Sequence, residues 1–145
     1  MTRSSLRPFL GVALVVLPAV ALSQGAPRDV WGGVYTAAQA QRGAALYAST
    51  CASCHGDALG GNDQAPPLAG GGFRANWTGQ TAAALFTRIK TTMPLDNPNS
   101  LGAAKVADIE ALILSRNGFP AGQAELPADP GALDAIAITQ DKPGA

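Results

Sequence analysis

Both cysteines and the only histidine of the chain fall within five consecutive positions, Cys51-Ala52-Ser53-Cys54-His55. Nothing else in the sequence is as constraining, because any thiol- or imidazole-based site has to be built on this one pentapeptide. These residues supply three classical zinc ligands, so a closed structural zinc site would need a carboxylate as the fourth. A Ser-His-Asp or Cys-His hydrolase would have to use this single imidazole. A structural disulfide between Cys51 and Cys54 would close too small a loop to restrain the chain much. At 145 residues the chain suits one domain with tails rather than two cores. Its ten basic residues are matched by ten acidic ones. It therefore lacks the cationic surface that displaces counterions from phosphates, and no nucleic-acid partner is expected.

That charge balance describes a precursor. Arg3 and Arg7 precede an uncharged stretch, Phe9 to Leu22, which is followed by small residues ending at Ser23. A positive start, an apolar middle and a small-residue cleavage site read as a secretory signal peptide over residues 1–23. The apolar run is shorter than the ~20 residues needed to cross a bilayer. The expectation is export to the periplasm, with no stable membrane insertion after cleavage at Ala21 or Ser23. Losing Arg3 and Arg7 leaves the mature chain with two more acids than bases.

Residues 24–35 read as an irregular N-terminal extension, 36–118 as the main domain and 119–145 as a proline-containing tail. Thr36 and Gln39 have the spacing of a capping box, in which each side chain satisfies the other residue's backbone donor. A helix is predicted from Ala37 into the cysteines, and Gly43 within it implies close approach by another element. The Gly- and Pro-rich stretch 56–72 is predicted as a loop. A second helix starts after Thr81 and is stopped by Pro94, since the residue before a proline avoids helical dihedrals. A third, Ala103 to Asn117, carries the apolar stripe Val106, Ile109, Leu112 and Ile113, with Gly118 as its left-handed stop. Pro120, Pro127, Pro130 and Pro143 exclude one regular helix from the tail. Its Leu126, Leu133, Ile136 and Ile138 are expected to lie against a surface. No strand alternation and no internal repeat is visible, so the fold class is all-α with long loops.

C-x-x-C-H is the attachment pattern of a c-type haem. Residues three apart share a helix face, so both sulfurs can reach the two vinyl groups of one porphyrin. His55 can then turn its imidazole beneath the macrocycle to bind iron. Export agrees, because covalent haem attachment in bacteria takes place outside the cytoplasm. A dithiol–disulfide catalyst also uses C-x-x-C, but usually at a helix start beside a βαβ pattern. Here the pair falls at the end of a predicted helix. The cofactor expected is one covalently attached haem c, and its second axial ligand decides the function. No second histidine exists, and Met93 is the only methionine once the signal is removed. An isolated methionine is more often core filler. At a helix end, stiffened by Pro94, it is placed to be the sixth ligand. A labile Met93 would instead make a gas-binding or peroxidase-like protein.

Gly43-x-x-x-Tyr47, Cys51-x-x-Cys54-His55-Gly56, Pro66-Pro67-Leu68, Met93-Pro94 and the last amphipathic helix together resemble class I c-type cytochromes. The resemblance spans about Thr36 to Asn117. It implies a cytochrome c fold, three main helices around one haem, the first and last crossing near Gly43 and Tyr47. It also implies thioethers at Cys51 and Cys54, axial ligation by His55 and Met93, and a Pro66 carbonyl that accepts from the His55 ring. Leu68 is carried over with Pro66 as a haem contact. Many members have an aromatic near Leu112, so the expected aromatic contact with Tyr47 is weakened here. Arg74, Asn76 and Trp77 either donate to the haem propionates or form an ordinary solvated loop with one packed Trp. Trp31 is expected in the core rather than over a haem edge. Val34-Tyr35-Thr36, Asn76-Trp77, Met93-Pro94-Leu95-Asp96-Asn97-Pro98 and Asn117-Gly118-Phe119-Pro120 look like cytochrome domains beside periplasmic quinoprotein dehydrogenases. The implied role is electron transfer rather than catalysis, in a free carrier or a dehydrogenase's cytochrome subunit. Electrons would come from such a dehydrogenase and go to an oxidase or another cytochrome.

Overall fold

The computed structural model describes residues 28–142 and 144; the expected signal peptide, 1–23, lies outside them. Six helices follow in order: α1 (Ala37–Thr50), α2 (Ala52–His55), α3 (Gly70–Trp77), α4 (Ala82–Thr92), α5 (Ala103–Arg116) and α6 (Pro130–Leu133). The long ones, α1, α4 and α5, are the three expected from periodicity. The only regular β-structure among the described residues is a two-residue parallel pair, β1 (Arg28–Asp29) with β2 (Ile136–Ala137). No helix among these residues is long and apolar enough to cross a membrane.

Helices α1 and α5 cross at Gly43. A Cβ there would overlap the Asp108 carbonyl oxygen and lie 3.1 Å from the Leu112 Cβ. Glycine is what lets the two backbones approach this closely. Leu112 and Tyr47 are both buried at this crossing end of the core. On the exposed side Arg42 bridges Asp108 at 2.8 Å and Glu125 at 2.9 Å. The Asp108 pair is bidentate, with Arg42 Nε also donating to its Oδ2 at 3.0 Å, whereas the exposed Glu125 pair adds little stability.

Half of the expected capping box forms. Thr36 Oγ1 accepts from the Gln39 N–H at 3.1 Å. The Gln39 side chain does not reach back to Thr36. Its Nε2 donates to the Leu126 carbonyl at 3.0 Å, and its Oε1 accepts from the Leu126 N–H at 2.7 Å. Gln39 and Leu126 are both buried, so the amide and the backbone groups must satisfy one another. This clamp, the Tyr35 hydroxyl on the Phe119 carbonyl (2.5 Å) and the Gly122 N–H on the Tyr35 carbonyl (2.7 Å) hold the tail. Leu126, Leu133, Ile136 and Ile138 enter the same core as the helices.

The loop expected over 56–72 is corrected at its end, where α3 begins at Gly70. Three successive glycines read as helix breakers, but Phe73 and Trp77, four apart, stack at 6.3 Å on one face of the helix, and the Gly70 N–H at its start donates to Asn117 Oδ1 at 2.9 Å. Phe73 is fully buried.

Candidate haem-binding site

Helix α1 ends at Cys51, whose N–H donates to the Tyr47 carbonyl at 2.8 Å. The Cys51 carbonyl then accepts from Cys54 N–H (3.2 Å) and His55 N–H (2.9 Å), so the pentapeptide is wound into one further turn, α2. Cys51 thus ends one helix and opens the next, and both cysteines are free thiols. Burial, with Cys54 nearby, pushes the Cys51 thiol up to about 11. Tyr47 donates its hydroxyl to the Gly56 carbonyl at 2.7 Å, and burial pushes that phenol up to about 12.

The turn faces a cleft of about 920 Å³. Cys51, Cys54, His55, Pro66 and Leu68 line it, together with Met93 and Pro94, which follow α4. Leu85 and Ile89 of α4 and Ile109 and Ile113 of α5 supply apolar wall. His55 is 8% exposed, and its Nδ1 lies 2.9 Å from the Pro66 carbonyl oxygen. A carbonyl only accepts, so Nδ1 carries the proton and Nε2 keeps its lone pair for a metal. Met93 ends α4 with its N–H on the Ile89 carbonyl at 3.0 Å and is half-buried. Two thiols three residues apart, an imidazole with Nε2 uncommitted and one thioether around an apolar cleft fit a haem iron and its porphyrin.

Residues 38–113 match the family described as cytochrome c oxidase, cbb3-type, subunit III. The chain belongs to this family of c-type cytochromes. Family membership makes it an electron carrier and implies haem c. No curated protein matches the chain. Among solved structures, this cytochrome is similar to a chain of the sulfane dehydrogenase SoxCD from Paracoccus pantotrophus. The two are 28% identical with a TM-score of 0.45, over 76% of this chain and 60% of that one.

The cytochrome's cleft brings together seven of the eight site residues expected from sequence, Cys51, Cys54, His55, Pro66, Leu68, Trp77 and Met93. Arg74 is the exception and is corrected here. It does not line the cleft, and its Nη2 donates to the Asn117 carbonyl at 3.4 Å. Trp77 lines the cleft from the end of α3, whereas the Arg74 guanidinium is turned to the Asn117 carbonyl at the end of α5. The cation on the lining is Arg88, on the helix that delivers Met93, with Asn76 and Gln80 as further polar groups. Sequence reasoning missed Arg88, although a cation five positions before the expected ligand was visible. Trp31 packs edge-on to Phe119 at 4.9 Å, away from the cleft.

Two further residues were missed. Asn62 caps its own turn, its Oδ1 accepting from Gln64 N–H (2.8 Å) and Ala65 N–H (2.9 Å) while Nδ2 donates to the Cys54 carbonyl (2.8 Å). Asparagine in a Gly/Pro-rich loop is a readable signal for such a turn. Glu110 on α5 is fully buried, and neither carboxylate oxygen has a hydrogen-bond partner among the described residues. Burial raises its pKa well above the ordinary glutamate value. It does not line the cleft.

Proposed function

We propose that this chain carries one haem c, joined through Cys51 and Cys54 and ligated by His55 and Met93, and works in the periplasm as a one-electron carrier. The observation that carries the reading is His55, with Nδ1 committed to Pro66 and Nε2 free, in one cleft with Met93. Bound there, the haem iron supplies exchange of a single electron between its ferric and ferrous states. The protein's part is to hold and to shield. The Pro66 carbonyl fixes the imidazole's tautomer and raises its basicity. Met93 provides a soft donor that favours the reduced state. Leu85, Ile89, Ile109 and Ile113 exclude water, and Trp77, Gln80 and Arg88 offer donors to the propionates.

The donor we propose is a periplasmic quinoprotein dehydrogenase, and the acceptor an oxidase or another cytochrome; the loop resemblances noted above support the first. Leu95 is 79% exposed and lines the cleft, an apolar contact suited to small, transient docking. With an excess of only two acids after signal removal, long-range steering would be modest.

The test is spectroscopic. Haem staining should survive denaturing electrophoresis, and the oxidised protein should show the weak far-red absorption of a sulfur–iron bond. Absence of that band, with rapid carbon monoxide binding to the reduced form, would replace the carrier by a gas-binding or peroxidase-like protein.

A further inference from the structure

The Pro66 carbonyl that orients His55 belongs to a segment with little regular structure, residues 62–70, and must itself be held. Its near end is held locally, by Asn62 on the Cys54 carbonyl. Its far end is held by the Leu59 carbonyl, which accepts from Leu68 N–H (2.8 Å) and Ala69 N–H (3.2 Å), and by the side chain of Asn117, 47 to 49 positions further along the chain. Asn117 Nδ2 donates to the Leu68 carbonyl at 2.9 Å and to the Ile113 carbonyl at 2.8 Å. Its Oδ1 accepts from the Gly70 N–H at 2.9 Å. Three of the four hydrogen-bonding positions of the amide are thereby used. Asn117 is 3% exposed, whereas Asn62 is exposed and shares its partners with water.

From this geometry we infer that Asn117 is a positioning residue for the haem site. It locks the 66–70 strap to the end of α5 and so keeps the Pro66 carbonyl on His55 Nδ1–H. A helix cap alone would need only the bond to Ile113. The bonds to Leu68 and Gly70 point the other way, into the strap two and four residues beyond Pro66. Losing them leaves this end of the strap on the Leu59 carbonyl alone, which loosens it, weakens the Nδ1–H bond and makes the imidazole a poorer donor. A poorer donor stabilises ferric iron less, so the potential rises.

The inference rests on His55 being an iron ligand, and the experiment separates the two. In the reduced, haem-loaded full chain, NMR follows solvent exchange of the His55 Nδ1 proton, and a redox titration follows the potential. Asn117→Ala should speed that exchange at least tenfold and raise the potential by about one tenfold step in the ferric/ferrous ratio, about 59 mV. Asn62→Ala should do so less. Gln39→Ala removes a buried amide clamp of the same kind from the tail and should leave both readouts unchanged. Unchanged exchange in Asn117→Ala, or equal acceleration in Gln39→Ala, overturns the inference while leaving the ligand assignment intact. A wild type whose His55 ring protons lack the large haem ring-current shift overturns both. Should Asn117→Ala not fold, the wild type still decides. The Nδ1 proton should open together with the Gly70 amide, and a Gly70 amide exchanging tenfold faster than a still-protected Nδ1 proton overturns the lock.

Discussion

Two loops line the cleft, and they are built differently. The one after His55 is tied at nearly every step. Gly61 N–H returns to the His55 carbonyl at 2.9 Å, Leu68 N–H to the Leu59 carbonyl at 2.8 Å and Asn62 N–H to the Ala65 carbonyl at 2.9 Å. Leu59 is fully buried in its middle. The loop after Met93 has two backbone bonds of its own, Asn97 N–H to the Pro94 carbonyl (3.0 Å) and Ser100 N–H to the Asn97 carbonyl (3.4 Å). Lys90 adds contacts to Asn99, and residues 95–100 are all exposed. Local stability follows buried contacts and protected hydrogen bonds, so the imidazole sits on the rigid part of the site and the thioether on the mobile part.

The comparison breaks if the two ligands respond alike. His55→Ala should lose the low-spin spectrum and most of the incorporated haem, measured by absorbance per mole of protein. Met93→Ala should keep covalent haem and fold, lose the far-red band and lower the potential by about two tenfold steps, at about 59 mV each. The rigid loop inherits its place from the α1–α5 crossing. Gly43→Ala should therefore cost about 2–3 kcal/mol in urea unfolding, because its methyl meets backbone rather than a movable side chain.

Glu110 offers a smaller, pH-dependent effect on the helix whose Ile109 and Ile113 line the cleft. Its folded pKa is raised, so above the unfolded value near 4.3 the native state holds a proton that the unfolded state releases. Stability from this group is greatest in acid and falls as pH rises, with a slope of up to about 1.4 kcal/mol per pH unit, until the folded pKa is reached. Glu110→Gln should flatten that slope and gain most over wild type at high pH, read from unfolding midpoints across pH 4–8. Smaller again is the effect expected of Arg88→Gln: removing this charge from the exposed rim of the proposed haem cleft should shift the potential by less than about 59 mV. Arg74→Gln should shift it by nothing measurable.

What sequence revealed was whatever depends on near neighbours. The C-x-x-C-H spacing, the Thr36 cap and the apolar stripe of α5 are written within a few residues, and α4 and α5 begin where expected. The α1–α5 crossing was readable too, because only glycine tolerates such an approach. What stayed hidden needed a distant partner. Gln39 looked like half of a capping box because its true partner, Leu126, is 87 positions away. Gly70–Gly72 looked like loop because Asn117, which takes up the Gly70 N–H, is 47 positions away. Arg74 and Arg88 carry the same charge, and only the fold shows that Arg88 lines the cleft while Arg74 turns to the distant Asn117 carbonyl.

The separation of contacts along the chain also bears on the order in which this site matures. The bond from His55 to Pro66 spans 11 positions, whereas the bonds from Asn117 to the strap span 47 and 49. A polypeptide emerging N-terminus first presents Cys51, Cys54 and His55 while the far anchor of the strap has yet to arrive. The turn that carries the thiols can thus form from near neighbours, whereas the strap's bonds to Asn117 wait for the end of α5. The strap's distant latch is therefore the last of its contacts to become available.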